Sequence, residues 1–419
     1  MNRIAKKEAK NNEEALLKRA MVGDVAREAR VAMIQMLIPL GLEAVGQLLG
    51  KEVDELAGKK YGREGDAYRW GSNAGSVYVG DQKLRIKVPR VRQAGSNEEI
   101  PLKGYQRLRE TGVIDDISLR RVLHGVSSQN YRAAAIAIPE TFGIERNSVS
   151  KRWIRGSGKK LRELQERSLE KYDIVSIILD GKAFGENEMI IGLGVTIAGE
   201  KVILGMIESN TENFMVCRDF LKNLIARGLN AEKEYLFVID GGKGLRKAIT
   251  SVFGAKAFVQ RCQWHKRENV VGYLPKEKQA EWRRKLQAAY EEGDYAKARK
   301  RLLSLRGDLE RMNISAVRSL DEGFEETLTL HRLGVFENLG ISFKTTNLIE
   351  NVNSGLEHRT GRVTRWHTSD QRQRWVGTAL LDIEPRLRKL KGYKYLPMLR
   401  MAMRSFASKD EVQEFRQAA

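Results

Sequence analysis

Two cysteines, Cys217 and Cys262, stand in 419 residues. That scarcity excludes a disulfide framework and fits a reducing compartment. Histidine is also scarce, at 5, and no second Cys/His pair has the spacing of a structural zinc site. Long apolar runs are missing as well. The best stretch, Val31 to Leu42, is short and carries Gln35 and Pro39, so no bilayer-spanning helix is expected. The N-terminus, Met-Asn-Arg-Ile-Ala-Lys-Lys-Glu, lacks a secretory apolar core. Internal repeats and low-complexity tracts are absent. Acidic residues are the minority charge, 54 Asp+Glu against 74 Lys+Arg, for a formal charge of +20. A surplus of that size points to a polyanion, because each phosphate neutralised by Lys or Arg releases condensed counterions. A soluble, cytoplasmic, nucleic-acid-facing protein is the resulting expectation, with no membrane partner.

Hydrophobic residues make up 42% of the chain, enough for two or three folded domains. The first twenty-odd residues are charged. Val31 to Leu56 has helical apolar spacing interrupted near Pro39. Two alternating runs flank Gly80-Asp81 and predict a hairpin whose second strand ends at Pro89, followed by a turn-rich loop from Gln93 to Glu99. Helical patterns run from about Asp115 to Lys171.

At Asp173 the texture changes. Strands are expected over Ile174–Leu179, Met189–Ile197 and Val202–Ile207. A helix over Asn213–Gly228, a strand over Leu236–Ile239, a helix over Leu245–Val252 and a short strand over Ala257–Val259 follow. This is an α/β order. From Trp264 to about Glu337 only charged helical sequence appears. A helix then opens near Thr345, and a basic helical tail completes the chain.

Asp180 directly follows the first of these strands, and Asp240 directly follows the fourth. Acids at the carboxyl ends of neighbouring strands converge on one sheet edge. Glu350 lies near the start of the helix after Thr345, where that helix can pack back on the edge. Three carboxylates in one place form a hard-oxygen site suited to Mg²⁺ or Mn²⁺, and paired ions can support in-line phosphoryl displacement. Each acid also has a plain structural reading. Asp180-Gly181 and Asp240-Gly241-Gly242 are good turn sequences, and Asn347-Leu-Ile-Glu350 has the form of a capping box. What favours a site is the polar helical face Asn347, Glu350, Asn351 and Ser354, which is costly on a helix entering a core.

Leu179-Asp-Gly-Lys182, Ile239-Asp-Gly-Gly-Lys-Gly-Leu245, Cys262-Gln-Trp-His265 and Thr345-Thr-Asn-Leu-Ile-Glu-Asn351 together resemble, in order and spacing, the motif series of bacterial Mutator-type insertion-sequence transposases. The resemblance implies an RNase H-like α/β catalytic core with a mixed sheet and a large all-helical insertion between the second Asp and the Glu. It implies an acidic DDE triad on Asp180, Asp240 and Glu350 serving as catalytic residues and metal ligands, with Mg²⁺ (or Mn²⁺) as cofactor. It further implies binding of double-stranded DNA at terminal inverted repeats, strand cleavage and strand transfer. Because two element ends are processed together, a homodimer or larger assembly is expected. Cys262, His265 and Asn347 are candidate supporting residues. For Cys262 and His265 two readings stand: a packed thiol with a satisfied imidazole, or a histidine that orients a phosphate or water.

Phe142 to Ile154 resembles the turn and second helix of a helix-turn-helix, with Gly143 in the turn and Asn147 or Ser148 as helix cap. Asn147, Ser150, Lys151 and Arg152 are candidate DNA contacts, as are Arg359 and Arg362 in the basic tail. The region Gly241-Gly-Lys-Gly244 lacks full Walker spacing, which excludes nucleotide hydrolysis on that motif. Five regions are expected: a helical and hairpin region over 1–110, a helix-turn-helix domain over 111–170, the catalytic domain over 171–263 and 340–360, a helical insertion over 264–339, and a tail over 361–419. Two rival functions share these features, an RNase H-like nuclease without strand transfer and a non-enzymatic DNA-binding regulator.

Overall fold

The computed structural model describes residues 41–60, 66–79, 82–110, 112–134, 142–209 and 213–418. The charged N-terminus, Pro39 and the Gly80-Asp81 turn lie outside these residues. The chain divides into two compact units, Met1–Gly156 and Ser157–Ala419.

In the first unit a helix over 41–57 places Leu49, Val53 and Ala57 against Val88, Val91 and Leu102. Strands β1 (Ala67–Val79) and β2 (Gln82–Gln93) form the expected hairpin, and β3 (Glu99–Ile100) adds to its edge. Pro89 does not end β2. It pairs with Ser72 just where the register slips between Arg69 and Ser72, so a bulge on the partner strand accommodates the proline that cannot donate a ladder bond. Helix formation between Asp115 and Lys171 is broken into Gly112–Leu123, Tyr131–Ala134 and Arg146–Glu166. A small core of Tyr131, Ile144 and Val149 holds these pieces.

The second unit carries the α/β order expected from the sequence. Strands β4 (Ile174–Phe184), β5 (Asn187–Thr196) and β6 (Lys201–Ser209) form an antiparallel meander, and β7 (Tyr235–Ile239) and β8 (Ala257–Arg261) add in parallel beside β4. The spatial order is β6-β5-β4-β7-β8. Helices Phe214–Ala226 and Lys243–Phe253 cover one face, where Ile177, Leu179, Phe237 and Ile239 meet Phe220, Leu224, Ile249 and Phe253. Asn213 caps the first of these helices through Met215 N–H at 2.9 Å. After β8 the chain is helical, with its own core around Trp282, Leu286, Leu302 and Val317. Among the described residues no strand lies between 264 and 339, and no helix is long and apolar enough to cross a membrane.

The tail is packed rather than extended. Leu396, Leu399 and Met403 are buried. Arg400 forms a forked pair with Asp173 at the start of β4, at 2.7 and 2.9 Å.

Candidate active site

The parallel ladder between β4 and β7 pairs Leu179 with Ile239. One residue further, Asp180 and Asp240 therefore stand side by side, on the face opposite Leu179 and Ile239 because successive side chains alternate. Strand β4 is longer than the apolar run suggests. It continues through Asp180 to Phe184, because residues 180–184 pair with β5. Asp180 is thus inside a strand, at the level where its neighbour β7 stops, and the turn reading of Asp180-Gly181 does not hold. At Asp240 a turn does form: the Asp240 carboxylate accepts a hydrogen bond from Gly242 N–H at 3.1 Å. Gly241, at φ +122°, completes it, and a Cβ there would strike the Arg261 side chain. Arg261 in turn donates to the Gly241 carbonyl and braces the turn from β8.

Helix Asn347–Thr360 carries the third acid. Its buried face is Ile349, Val352, Leu356 and Thr360, while Asn347, Glu350, Asn351 and Ser354 are exposed. The polar stripe therefore faces solvent instead of entering the core, and its cost argument falls away. The capping-box reading fails too. Thr346 is the N-cap but accepts no cap hydrogen bond; instead its Oγ1 donates to Glu350 Oε1 at 3.0 Å. The contact with the sheet comes from a residue outside the stripe. Asn353 Nδ2 donates to Asp180 Oδ2 at 2.9 Å, and Lys182 pairs with Glu357 at 3.0 Å one turn later.

Electrostatics mark Asp180 as the focus. It is 9% exposed. Burial pushes its carboxyl up to about 7, with further upward pressure from Asp240 and Glu350 and opposing pressure from His265 and the Gly181 N–H. Both other acids of the expected triad therefore act on Asp180, as does the histidine of the Cys-x-x-His turn. Among the described residues, however, no three Asp, Glu, His or Cys side chains are gathered tightly enough to enclose an ion as they stand. The acids share a field but not one coordination shell.

Cys262 is fully buried, and its N–H donates to the Ile239 carbonyl at 2.8 Å, which fixes the turn beside Asp240. Burial pushes the Cys262 thiol up, but the hydrogen bonds and charge of His265, together with the hydrogen bond from Thr346, hold it below its ordinary value. The hydrogen bond with Cys262 pushes His265 up to about 9, burial works against it, and the charges of Cys262, Asp240 and Asp180 add to the rise. Asn347 is exposed at the first helical position.

Three residues at this site escape a reading of motifs. Asn353 lies within the helix already singled out, one position from its polar stripe. Thr346 is hidden in a Thr-Thr pair. Glu188 comes from across the β4–β5 hairpin, beside Ala183 in register, and its carboxylate fills the space that Gly181 leaves by having no Cβ. Burial and then Asp240 raise the Glu188 carboxyl. The only sequence signal for it was a glycine inside a strand.

The expected DNA contacts separate into two groups. On helix Arg146–Glu166, Asn147, Ser150 and Lys151 are exposed on one face. Gly143 takes the turn conformation at φ +81°, but the helix starts at Arg146, so Asn147 is inside its first turn rather than capping it. Arg152 is buried, with its guanidinium 5.5 Å from the Tyr78 ring centre, and does not belong to the exposed face. In the tail, Arg359 is clamped to Asp382 at 2.7 and 2.8 Å and to the Gly355 carbonyl, an internal pair rather than an open phosphate contact. Arg362 is exposed.

Comparison with known proteins identifies the family. The profile of "Transposase, Mutator family" matches residues 20–387. The chain is similar to the transposase for insertion sequence element IS256 in transposon Tn4001 of Staphylococcus aureus, with 27% identity over 72% of this chain and 77% of that one. It is 26% identical to the transposase for ISRM5 of Rhizobium meliloti, over 75% and 79% of the two chains. With the transposase for IS406 of Burkholderia multivorans it shares 23% identity, over 83% and 92%. With most of its length matched, this chain belongs to the Mutator family of transposases.

Proposed function

We propose that this transposase is a DDE-type enzyme that binds the terminal inverted repeats of its element and cuts and joins DNA strands through Asp180, Asp240 and Glu350 on an RNase H-like core. The observation that carries the proposal is the alignment of Asp180 with Asp240 at adjacent parallel strands, under a helix whose Asn353 bonds Asp180 and whose Glu350 adds to the negative field there. A mixed sheet with three antiparallel strands followed by two parallel ones supports the RNase H-like assignment.

The donor set suits Mg²⁺ or Mn²⁺. All three acids are hard oxygen ligands, and the mutual repulsion felt by Asp180 is what a divalent cation relieves. Asn353 Oδ1, buried beside Asp180, has no hydrogen-bond partner, so an acceptor oxygen remains unsatisfied at this point. Bound there, divalent ions would activate a water or 3′-hydroxyl nucleophile and neutralise charge at the phosphate. Asp180 and Asp240, side by side at the ends of the β4–β7 ladder, would hold the ions. Glu350, held at one oxygen by Thr346, would complete the set. Asn353 orients Asp180 by donating to one oxygen and leaving the other open. His265, held protonated by Cys262, presents a positive group beside the scissile phosphate. The exposed face with Asn147, Ser150 and Lys151 binds duplex DNA, and processing of paired ends calls for a dimer or larger assembly.

The test uses duplexes carrying the inverted repeats that flank the gene, with Mg²⁺ or Mn²⁺. Cutting at the repeat ends followed by joining to target DNA is expected, and Asp180→Asn should lose both while retaining DNA binding. Cutting without joining would instead favour a simple nuclease. Full activity in Asp180→Asn would remove the triad.

A further inference from the structure

We infer that Thr346 is a positioning residue for Glu350, and that the Cys262–His265 pair acts on the site through its hydroxyl. The inference rests on the reading of Glu350 as a metal-binding acid and assigns the role of three residues around it.

Thr346 is fully buried and stands where three polar side chains meet. Its Oγ1 lies 3.0 Å from Glu350 Oε1, 3.4 Å from His265 Nδ1 and 3.6 Å from Cys262 Sγ. A hydroxyl has one hydrogen and two lone pairs. A carboxylate only accepts, so the hydroxyl hydrogen goes to Glu350. Cys262 Sγ is a second, more distant acceptor for that hydrogen, and a protonated His265 donates to the hydroxyl oxygen through Nδ1–H. The chain of donors therefore runs one way, from imidazole to hydroxyl to carboxylate. Each link polarises the next, and Glu350 is held by one oxygen with the second left open.

The backbone is built to keep this junction in place. Cys262 N–H bonds the Ile239 carbonyl at 2.8 Å, and Gln263 N–H bonds the Lys344 carbonyl at 2.9 Å. The turn with Cys262 and His265 is thereby tied both to the strand that ends at Asp240 and to the segment that leads into Thr346. Glu350 sits on an exposed face of its helix, so the Thr346 bond is what ties its side chain to this buried junction. A valine at 346 preserves shape and burial but cannot donate, whereas a serine keeps the donor.

The experiment measures Mn²⁺ binding to the full-length protein by the electron paramagnetic resonance of free Mn²⁺, with metal-free melting as a fold control. Thr346→Val should weaken Mn²⁺ binding about tenfold, in the range of an outer-shell ligand partner, and Thr346→Ser should bind close to wild type. His265→Asn, which retains a donor near the Nδ1 position, should bind better than His265→Ala. In a Glu350→Gln background Thr346→Val should have no further effect, because its only route to the metal has been removed. Unchanged Mn²⁺ affinity in Thr346→Val, or an equal loss in the Glu350→Gln background, would overturn the inference while leaving the metal site standing. Failure of the wild-type protein to bind Mn²⁺ would overturn both. Should Thr346→Val not fold, Thr346→Ser and the two His265 variants still decide it: equal binding by His265→Asn, His265→Ala and wild type rejects the relay.

Discussion

Asp180 and Glu350 have the same chemistry and opposite settings. One is nine-tenths buried on a central strand, paired with β5 just past the end of the β7 ladder; the other is exposed on a helix 170 residues later in the chain. The buried acid is positioned by the sheet and destabilised by it. The exposed acid costs the fold little and depends on a single hydroxyl for its place. The same division runs through the basic residues. Arg359 is turned inward to Asp382, while Lys151 is turned outward on its helix. A charge held by the fold and a charge presented by it look identical in a sequence, and their substitutions should separate cleanly.

The largest effect is expected from the acids themselves. Asp180→Asn and Glu350→Gln should each reduce end cleavage more than about a hundredfold, beyond the loss typical of outer-shell partners. Their stabilities should diverge, because only Asp180 carries a burial penalty. In metal-free melting at pH 8, Asp180→Asn should melt higher than wild type and Glu350→Gln should not. Equal shifts would break the comparison.

Next in size is Arg359→Ala. It removes the nearer of two arginines on Asp382, Arg386 remaining at 3.5 Å, and should lower stability by about 2 kcal/mol, measured by denaturant unfolding, with little change in the salt dependence of DNA binding. Lys151→Ala should do the reverse, leaving the melting temperature alone and reducing the salt slope by about one.

Asn353→Ala and Glu188→Gln come after these. Loss of the Asn353 bond to Asp180 should weaken Mn²⁺ binding about tenfold, read by calorimetric titration. Glu188→Gln should have a smaller effect, since it faces Asp240 from across the hairpin rather than holding Asp180. An Asn353 variant that binds metal normally would mean that the strand alone orients Asp180.

The smallest expected effect is a pH dependence. Asp180 binds its proton more tightly folded, at about 7, than its ordinary value of 3.8. Between those values the folded state holds more protons than the unfolded one, so stability falls as pH rises through this window and levels off above it. The metal-free melting temperature should therefore drop by about 3 °C or more between pH 5 and 8, and Asp180→Asn should flatten that part of the profile.

Much of this was legible in the sequence. The Ile174–Leu179 and Leu236–Ile239 runs announced the two strands because buried central strands are continuously apolar, and that periodicity located Asp180 and Asp240. What escaped was anything set by pairing. The continuation of β4 past Asp180 depends on β5 lying beside it, so the acid reads as a strand end although it is not one. The helix with Glu350 was found, but its rotation was misjudged: apolar Ile349, Val352 and Leu356 fix the buried face and leave the Asn347–Ser354 stripe outside, bringing Asn353 to the sheet. Arg152 and Arg359 looked like DNA contacts because composition records a charge and not its direction. Glu188 gave no signal of its own, only the in-strand Gly181, because its role depends on a neighbour's missing methyl group across a hairpin.

The hydrogen bond from Gln263 N–H to the Lys344 carbonyl has a consequence for the long helical excursion between them. It closes that excursion at its neck, so entry and exit lie one peptide contact apart. A segment anchored in this way can lengthen, shorten or be exchanged without dragging the third acid away from the first two.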